Sequence, residues 1–267
     1  MAGSKENRRT QGERNSPPLM PSANALRLQI EHKLADRFPA ALTPVQRTVR
    51  ETAAVGIPEI DRLLEGGLPV GAISEITGPA SSGRTCLALS FVAQRTNAGQ
   101  VCAWIDVGNA LDPESVAAGG VNLRRLLWVR CPGVQAKGKQ RSRPNPALSA
   151  TDQLLRAGGF AAIILDMGDV DAEQGRLISS STWYSFKQSA DQARCSLVVL
   201  GKSAYAQANA AVVVECSPSK VRTFGRNVLG GSAFDVQLTR EKTAPLGTAR
   251  KPPVSTWMVD TAWEIER

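Results

Sequence analysis

From about residue 55 onward, short fully apolar runs alternate with longer stretches in which apolar positions recur every three or four residues. The first pattern predicts buried strands and the second predicts amphipathic helices. Strands are predicted at 72–77, 101–107, 126–131, 161–167 and 196–201, and helices at 85–96, from Asp112, at 147–159 and within 178–194. This alternation is typical of an α/β fold, in which helices cover both faces of a mostly parallel sheet.

Beyond residue 210 the apolar segments follow one another without helical stretches between them. AVVVEC at 211–216, FDVQLTR at 234–240 and TWMVDTAWEIER at 256–267 are predicted to be successive strands. Strands that are joined without a crossover helix pair antiparallel. We therefore expect antiparallel strands at the C-terminal edge of the sheet.

The first 49 residues have a different pattern from the rest. Residues 1–20 are polar and rich in Pro, Gly and Ser, which predicts a disordered tail. In residues 21–49, ANALRLQIEHKLADRF places Leu26, Ile30 and Leu34 four apart on one face of a predicted helix. This apolar face has to dock either on its own domain or on another protein. The core domain is then predicted to span residues 50–267.

The chain is basic, with 32 Lys and Arg against 24 Asp and Glu, a net charge of +8. Such a charge favours a partner with an acidic surface, of which nucleic acid is the commonest. Four of the cations stand together in KGKQRSR, between Gly133 and Pro144: Lys137, Lys139, Arg141 and Arg143. This predicted loop either contacts DNA phosphates or is simply solvated.

Other features exclude several classes of protein. No apolar run approaches the roughly 18 residues that a membrane span needs, and the polar N-terminus does not resemble a signal peptide, so we expect a cytoplasmic protein without a membrane partner. The five cysteines are dispersed and His32 is the only histidine. A metal site built from Cys and His, or a disulfide framework, is therefore not expected.

GPASSGRT at 78–85 has the spacing of a phosphate-binding loop, with arginine at the lysine position. In such a loop backbone N–H groups converge on phosphate, the cation reaches the outer phosphates and the hydroxyl ligates magnesium. The candidate nucleotide-binding residues are Gly78, Pro79, Ala80, Ser81, Ser82, Gly83, Arg84 and Thr85. Arginine can pair with phosphate but lacks the compact charge of lysine, so binding should survive the change better than turnover. The alternative is a Gly/Ser turn without a ligand.

Asp166 ends the apolar strand AAIILDM at 161–167, downstream of this loop. A carboxylate at the end of such a strand holds the magnesium water shell in phosphate-loop proteins. Thr85 and Asp166 are therefore the candidate magnesium ligands, if a nucleotide binds.

The segment GIPEIDRLLEGGLPVGAISEITGPASSGRTCLALSFVAQRTNAGQVCAWIDVGNALDPES, residues 56–115, resembles the ATPase core of bacterial RecA recombinases. LLEGGLPVG, the GP-x-SSG-x-T loop, the WID strand and ALDP occur in the same order, which is far more specific than the loop alone. The resemblance continues more weakly to about residue 246 and implies a RecA-like fold with ATP and magnesium as ligands. The altered site is most similar to that of the ImuA-type RecA relatives, which accompany error-prone polymerases in bacterial SOS mutagenesis.

The chain departs from the RecA pattern where the chemistry takes place. RecA proteins carry a catalytic glutamate just after the ID of this strand, and the matching residue here is Gly108. Glycine cannot accept a proton from the attacking water, so the resemblance implies that hydrolysis is slowed by orders of magnitude. The glutamine that senses the γ-phosphate in the family is matched by Lys202. We therefore predict no catalytic residue.

Further positions take their expected roles from the resemblance. Asp112 matches a residue that contacts adenine, and Ser115 stands where the family has an aromatic residue that stacks on the base. Arg240 and Lys242 match a basic pair that reaches the neighbouring subunit's nucleotide across a filament interface. The same alternate spacing also occurs in an ordinary exposed edge strand.

The two DNA-binding loops of a RecA filament correspond to the segments after Asp166 and after SLVVLG at 196–201. The first, around AEQGRLISSSTWYS, contains Trp183 and Tyr184, which either stack on bases or pack a helix. The second is very short.

These features together predict a RecA-like accessory protein of the bacterial DNA-damage response, acting in translesion synthesis. It is expected to bind RecA or a RecA filament and a Y-family-type error-prone polymerase, with DNA as a further candidate partner, while ATP and magnesium bind weakly or without hydrolysis. One alternative is an active ATP-dependent recombinase that uses Arg84 and a base supplied from elsewhere. Another is a regulator of cell division that uses the scaffold for protein contacts only.

Overall fold

The computed structural model describes residues 51–131, 145–168, 170–224, 228–241 and 253–260, together with Ala25 and Gln29, both of which are helical. The chain divides into two compact units, Met1–Thr48 and Val49–Arg267. All of the elements below belong to the second unit. Leu26, Ile30 and Leu34 lie outside the described residues, and so does the basic loop KGKQRSR.

Strands and helices alternate through most of the second unit. In the described residues the strands are β1 Thr52–Ala53, β2 Leu68–Pro69, β3 Ile73–Thr77, β4 Cys102–Asp106, β5 Leu126–Arg130, β6 Ala162–Asp166, β7 Ser196–Gly201, β8 Ala210–Phe224, β9 Val228–Glu241 and β10 Val254–Asp260. The helices are α1 Pro58–Leu63, α2 Arg84–Asn97, α3 Pro113–Ala118, α4 Asn145–Ala157, α5 Ala172–Arg176 and α6 Ser180–Ala193. None of the described helices is long and apolar enough to cross a membrane.

The main sheet has eight strands in the order β10-β9-β8-β3-β7-β6-β4-β5. The five pairings from β8 through β3, β7, β6 and β4 to β5 are parallel, and the pairings of β9 with β8 and β10 are antiparallel. The α/β class with an antiparallel C-terminal edge is therefore confirmed. The parallel arrangement brings the carboxyl ends of β3, β6, β7 and β4 to the same edge of the sheet, where ligands bind in open α/β folds.

Helices cover this sheet on both faces, which is why its central strands are mostly apolar. In β4, Trp104 packs into the hydrophobic core that includes α2, whereas Ile105 faces the core on the opposite side, which includes α4 and α6. Ile76 and Ile73 of β3 divide between the two cores in the same way. All four side chains are completely buried. The two-residue period of the strand and burial on both faces thus explain the continuous apolar runs.

The antiparallel edge is longer than the sequence predicts. β8 extends to Phe224 and β9 begins at Val228, although the apolar pattern indicated strands only at 211–216 and 234–240. Residues 217–223 of β8 are exposed, so this part of β8 has no buried face to impose an alternating pattern. Pro218 also marks the segment as a turn by composition. The short β1–β2 ladder was likewise not predicted.

Candidate nucleotide-binding site

The phosphate-binding loop lies between a central strand and a helix, as its sequence context indicates. β3 ends at Thr77, and α2 begins at Arg84 with Gly83 as its N-cap. Gly78 has a φ of +146°, and a Cβ atom there would lie 2.2 Å from the carbonyl oxygen of Cys216. Only glycine allows the chain to pass so close to β8 at this conformation.

Gly83 brings the end of the loop against β9. Its φ is +85°, and a Cβ atom built on it would lie 2.7 Å from Cγ of Phe234. The Phe234 ring also packs against Trp257 of β10, with 5.3 Å between ring centroids. The antiparallel edge is thus packed directly onto the start of α2.

A pocket of about 360 Å³ opens between the loop and the β8–β9 hairpin. Its lining residues are Ser81, Ser82, Gly83, Arg84, Thr85 and Cys86 on one side, and Pro218, Ser219, Lys220, Val221, Ser232, Ala233 and Phe234 on the other. The loop half was predicted from the sequence, whereas the hairpin half was not. The one residue in the sequence that could have indicated the hairpin's position was Gly83, since a loop glycine of this kind permits close approach of another backbone or side chain.

Two buried polar groups without a partner lie in this loop. Ser82 is 1% exposed, and its Oγ and the Nη1 atom of Arg84 are buried without a hydrogen-bond partner. The first N–H groups of the 14-residue helix α2 also lie here, and Gly83 offers them no side-chain cap. A buried polar atom without a partner is costly in free energy. An anion at the end of α2 would satisfy these groups and would also interact favourably with the helix dipole.

Asp166 lies across the site from the loop, at the end of β6. Its Oδ1 accepts a hydrogen bond from the backbone N–H of Gly168 at 3.0 Å. A Cβ atom built on Gly168 would lie 3.1 Å from that oxygen and 3.4 Å from Nη2 of Arg84. The carboxylate of Asp166 and the guanidinium of Arg84 therefore both lie close to Gly168. Thr85, the other predicted magnesium ligand, is exposed in the pocket lining.

Gly108 lies in an exposed turn after β4, where the resemblance to RecA implies the catalytic carboxylate. The preceding Asp106 is 1% exposed and accepts hydrogen bonds from the N–H groups of Ala110 and Leu111 and from Nε1 of Trp128. Asp106 therefore holds the turn together and does not replace the missing base. Glycine at position 108 offers no proton acceptor.

A family model described as the RecA N-terminal domain matches residues 25–176, more than half of the chain. The chain belongs to this RecA family. It is 34% identical over 152 residues to Protein RecA of Crocosphaera subtropica, which covers 57% of this chain and 41% of the relative. It is 35% identical over 165 residues to Protein RecA of Allorhizobium ampelinum, or 54% and 42% of the two chains.

A shorter match, to Protein RecA of Pseudomonas fluorescens strain Pf-5, reaches 46% identity over 101 residues, 38% of this chain and 26% of the relative. The matched part thus spans about two fifths or less of the relatives' length. The residues matched by the family model, 25–176, include the phosphate-binding loop.

Asp112 is the N-cap of α3 in this RecA-family chain. Its carboxylate accepts hydrogen bonds from the N–H and the Oγ of Ser115, at 2.9 and 2.5 Å. These bonds lower the pKa of the Asp112 carboxyl below its ordinary value. Neither residue lines the pocket. Contact with adenine remains a prediction, and it would require this exposed carboxylate to serve as cap and ligand together.

The end of β7 lies beside the loop, since the N–H of Gly78 donates to the carbonyl of Gly201 at 3.2 Å. Lys202 follows directly and is exposed. Arg240 of β9 donates from Nη1 to the carbonyl of Gln207 in the same chain. Its role in trans stays a prediction, and Lys242 lies outside the described residues.

The segment predicted to correspond to the first DNA-binding loop is largely helical, because α5 and α6 occupy most of it. Trp183 is completely buried and makes a T-shaped contact with Phe186, so it packs the core of the domain. Tyr184 is 52% exposed and accepts a hydrogen bond from Gln188. Tyr205, in the short segment after β7, is 1% exposed. Of these aromatic residues, Tyr184 alone retains a ring available to a base.

The five cysteines, all of them described, are free thiols. Burial raises the pKa of Cys102 to about 11 and those of Cys195 and Cys216 to about 12. These three thiols are therefore unreactive at neutral pH. Cys86 is exposed and lines the pocket. Within the described ranges, no group of three or more His, Cys, Asp or Glu side chains is arranged to hold a metal ion.

Proposed function

We propose that this RecA-family protein binds a nucleotide without hydrolysing it effectively and acts as an accessory of the bacterial DNA-damage response. The observation that carries the proposal is the combination of a phosphate-binding loop between strand and helix with Gly108 just after β4. The loop retains unpartnered polar groups for an anion, whereas the position of the base has none. Binding and turnover depend on different residues, so one can be kept when the other is lost.

The first prediction concerns hydrolysis. ATP turnover should be at least about 100-fold slower than that of a functional RecA, with or without DNA, because no carboxylate activates the water. Calorimetric titration with ATP and ADP, followed by a turnover assay on the same preparation, measures both properties. Binding with turnover comparable to RecA would favour an active recombinase, and the absence of binding would favour a scaffold used for protein contacts only.

Two variants test whether the missing carboxylate or the arginine in the loop limits ATP turnover. Arg84→Lys alone should leave turnover low, since the carboxylate is still missing. Arg84→Lys combined with Gly108→Glu should recover part of it if the remaining site is competent. Recovery by Arg84→Lys alone would show that the loop cation, and not the base, limits the reaction.

The partners that we propose are RecA or its filament and a Y-family-type polymerase. We propose that the protein acts in translesion synthesis, in the cytoplasm and at the nucleoid. The family membership and the altered site support this proposal. The predicted apolar face formed by Leu26, Ile30 and Leu34 is the proposed docking element, because burying each such side chain contributes roughly 1.5–3 kcal/mol before ordering costs.

This docking proposal can be tested with charged variants. Leu26→Glu with Ile30→Glu should weaken association with RecA filaments in co-sedimentation, while the melting temperature of the core stays nearly unchanged. Gln29→Glu is the matched control, since Gln29 is helical and exposed. A strong fall in melting temperature with binding intact would mean that the helix packs on its own domain.

A further inference from the structure

Among the described residues that line the pocket between the loop and the β8–β9 hairpin, two are cations and none is an acid. Arg84 comes from the start of α2 and Lys220 from β8, and neither Asp nor Glu is among the lining residues. The hairpin thus contributes a positive charge on the wall opposite the loop. A polyphosphate in this pocket would be neutralised from both sides.

The carboxylates that the sequence analysis expects beside the loop are missing or already engaged. Position 108 carries none, and the carboxylate of Asp106 is used by three hydrogen bonds within its own turn. Asp166 accepts from the N–H of Gly168. Thr85 retains a hydroxyl, but the carboxylate of Asp166 lies close to the guanidinium of Arg84. The residues present therefore fit a hydrated magnesium ion poorly.

We propose that the site binds a nucleoside polyphosphate without magnesium, with Arg84 and Lys220 supplying the positive charge. This inference rests on nucleotide binding as put forward under the proposed function. Arg84 has the reach to span from the loop toward Asp166, and its planar guanidinium can donate to two phosphate oxygens. A divalent cation at the same place would be repelled by the guanidinium.

Titration of the full chain with ATP, in magnesium chloride and in excess EDTA, tests the proposal. The dissociation constants should agree within about threefold, whereas a site that needs magnesium to neutralise the phosphates should lose about tenfold or more in EDTA. Arg84→Lys should introduce magnesium dependence, because the shorter ammonium group no longer approaches Asp166. Lys220→Ala should weaken binding by about tenfold equally in both buffers.

Arg124→Ala is the matched control for Lys220→Ala. Arg124 is exposed and lies before β5, at the amino ends of the parallel strands and so at the edge opposite the pocket. This variant loses the same charge and should bind ATP like the unmodified protein. Equal weakening by Arg124→Ala and Lys220→Ala would show that overall charge, and not a pocket contact, explains the effect.

Cys86 gives a second measurement that does not depend on affinity alone. It is exposed in the pocket lining, so ATP in EDTA should protect it from alkylation, as mapped by peptide mass, and Cys131 provides the internal comparison. Binding and protection that occur only with magnesium would overturn the inference and leave the proposed function standing. Absence of binding in both buffers would overturn the two together.

Discussion

Gly83 stands where a single added methyl group would reach the neighbouring strand. Gly83→Ala places a Cβ atom within 3.0 Å of three ring carbons of Phe234, which Trp257 holds in place. We expect a loss of about 1–2 kcal/mol from the positive φ and about 1–3 kcal/mol more from the clash. Urea unfolding measures the loss.

Gly99→Ala separates the two causes. Gly99 has a similar φ of +82°, but a Cβ atom there meets nothing within 4 Å. Its substitution should therefore cost only the backbone strain, about 1–2 kcal/mol. If both variants lose the same stability, Phe234 yields to the methyl group and the contact between the loop and β9 is not rigid.

Glu75 makes the stability of the domain depend on pH. It is 1% exposed in β3, and its Oε1 accepts from the N–H groups of Tyr205 and Ala206 at 2.5 and 2.9 Å. Burial raises the pKa of its carboxyl, although these two bonds and the charge of Arg240 oppose the rise. The folded chain therefore binds this proton more tightly than the unfolded chain does.

It follows that the contribution of Glu75 to the free energy of unfolding is largest below its ordinary pKa of 4.5 and falls as the pH rises through its folded value. Glu75→Gln, which keeps an oxygen for the two N–H groups, should remove this decline. Denaturant unfolding at a series of pH values above 4.5 compares the two proteins. A stability difference that does not change with pH would contradict the prediction.

In helix α6, the adjacent residues Trp183 and Tyr184 lie on different faces, one buried and the other exposed. Trp183 is completely buried against Phe186, whereas Tyr184 is 52% exposed. Trp183→Ala should cost about 3–5 kcal/mol, and Trp183→Phe, which keeps most of the apolar volume, should cost less. Tyr184→Ala should change stability by no more than about 0.5 kcal/mol. Denaturant unfolding curves of the three variants measure these changes in stability.

A fluorescence-anisotropy titration with single-stranded DNA shows whether Tyr184 also stacks on bases. If it does, Tyr184→Ala should weaken binding by about 1–3 kcal/mol, whereas Tyr184→Trp should preserve it. Unchanged affinity in the alanine variant would leave Tyr184 as an ordinary exposed residue.

The elements differ in how well their sequences predicted them. The central strands were predicted to within one or two residues, because burial on both faces forces continuous apolar runs. The phosphate-binding loop was predicted because its local backbone conformation requires glycines at fixed spacing, and that spacing is visible in the sequence. The extension of the β8–β9 hairpin was not, since its exposed residues and Pro218 carry no apolar pattern. Its contribution to the pocket depends on contacts between residues more than 130 positions apart, such as Gly83 and Phe234, which no local pattern records.

For the protein as a whole, the net charge of +8 leads to a prediction about DNA. Alanine at Lys137, Lys139, Arg141 and Arg143 should weaken binding to duplex DNA and flatten its salt dependence, since each phosphate contact contributes about −0.9 to the slope of log K against log salt. Anisotropy titrations at several salt concentrations give the slope. If neither affinity nor slope changes, the loop is merely solvated and DNA contact must be sought elsewhere.

The packing of the β8–β9 hairpin onto the phosphate-binding loop has a kinetic consequence. A ligand in the pocket touches segments from the first and last thirds of the chain and therefore acts as a non-covalent cross-link between them. Because binding favours only the closed arrangement, the hairpin can separate from the loop less often when the ligand is present. Amide hydrogen exchange in β8 and β9 should then slow on addition of nucleotide, so that the antiparallel edge reports the occupancy of the pocket.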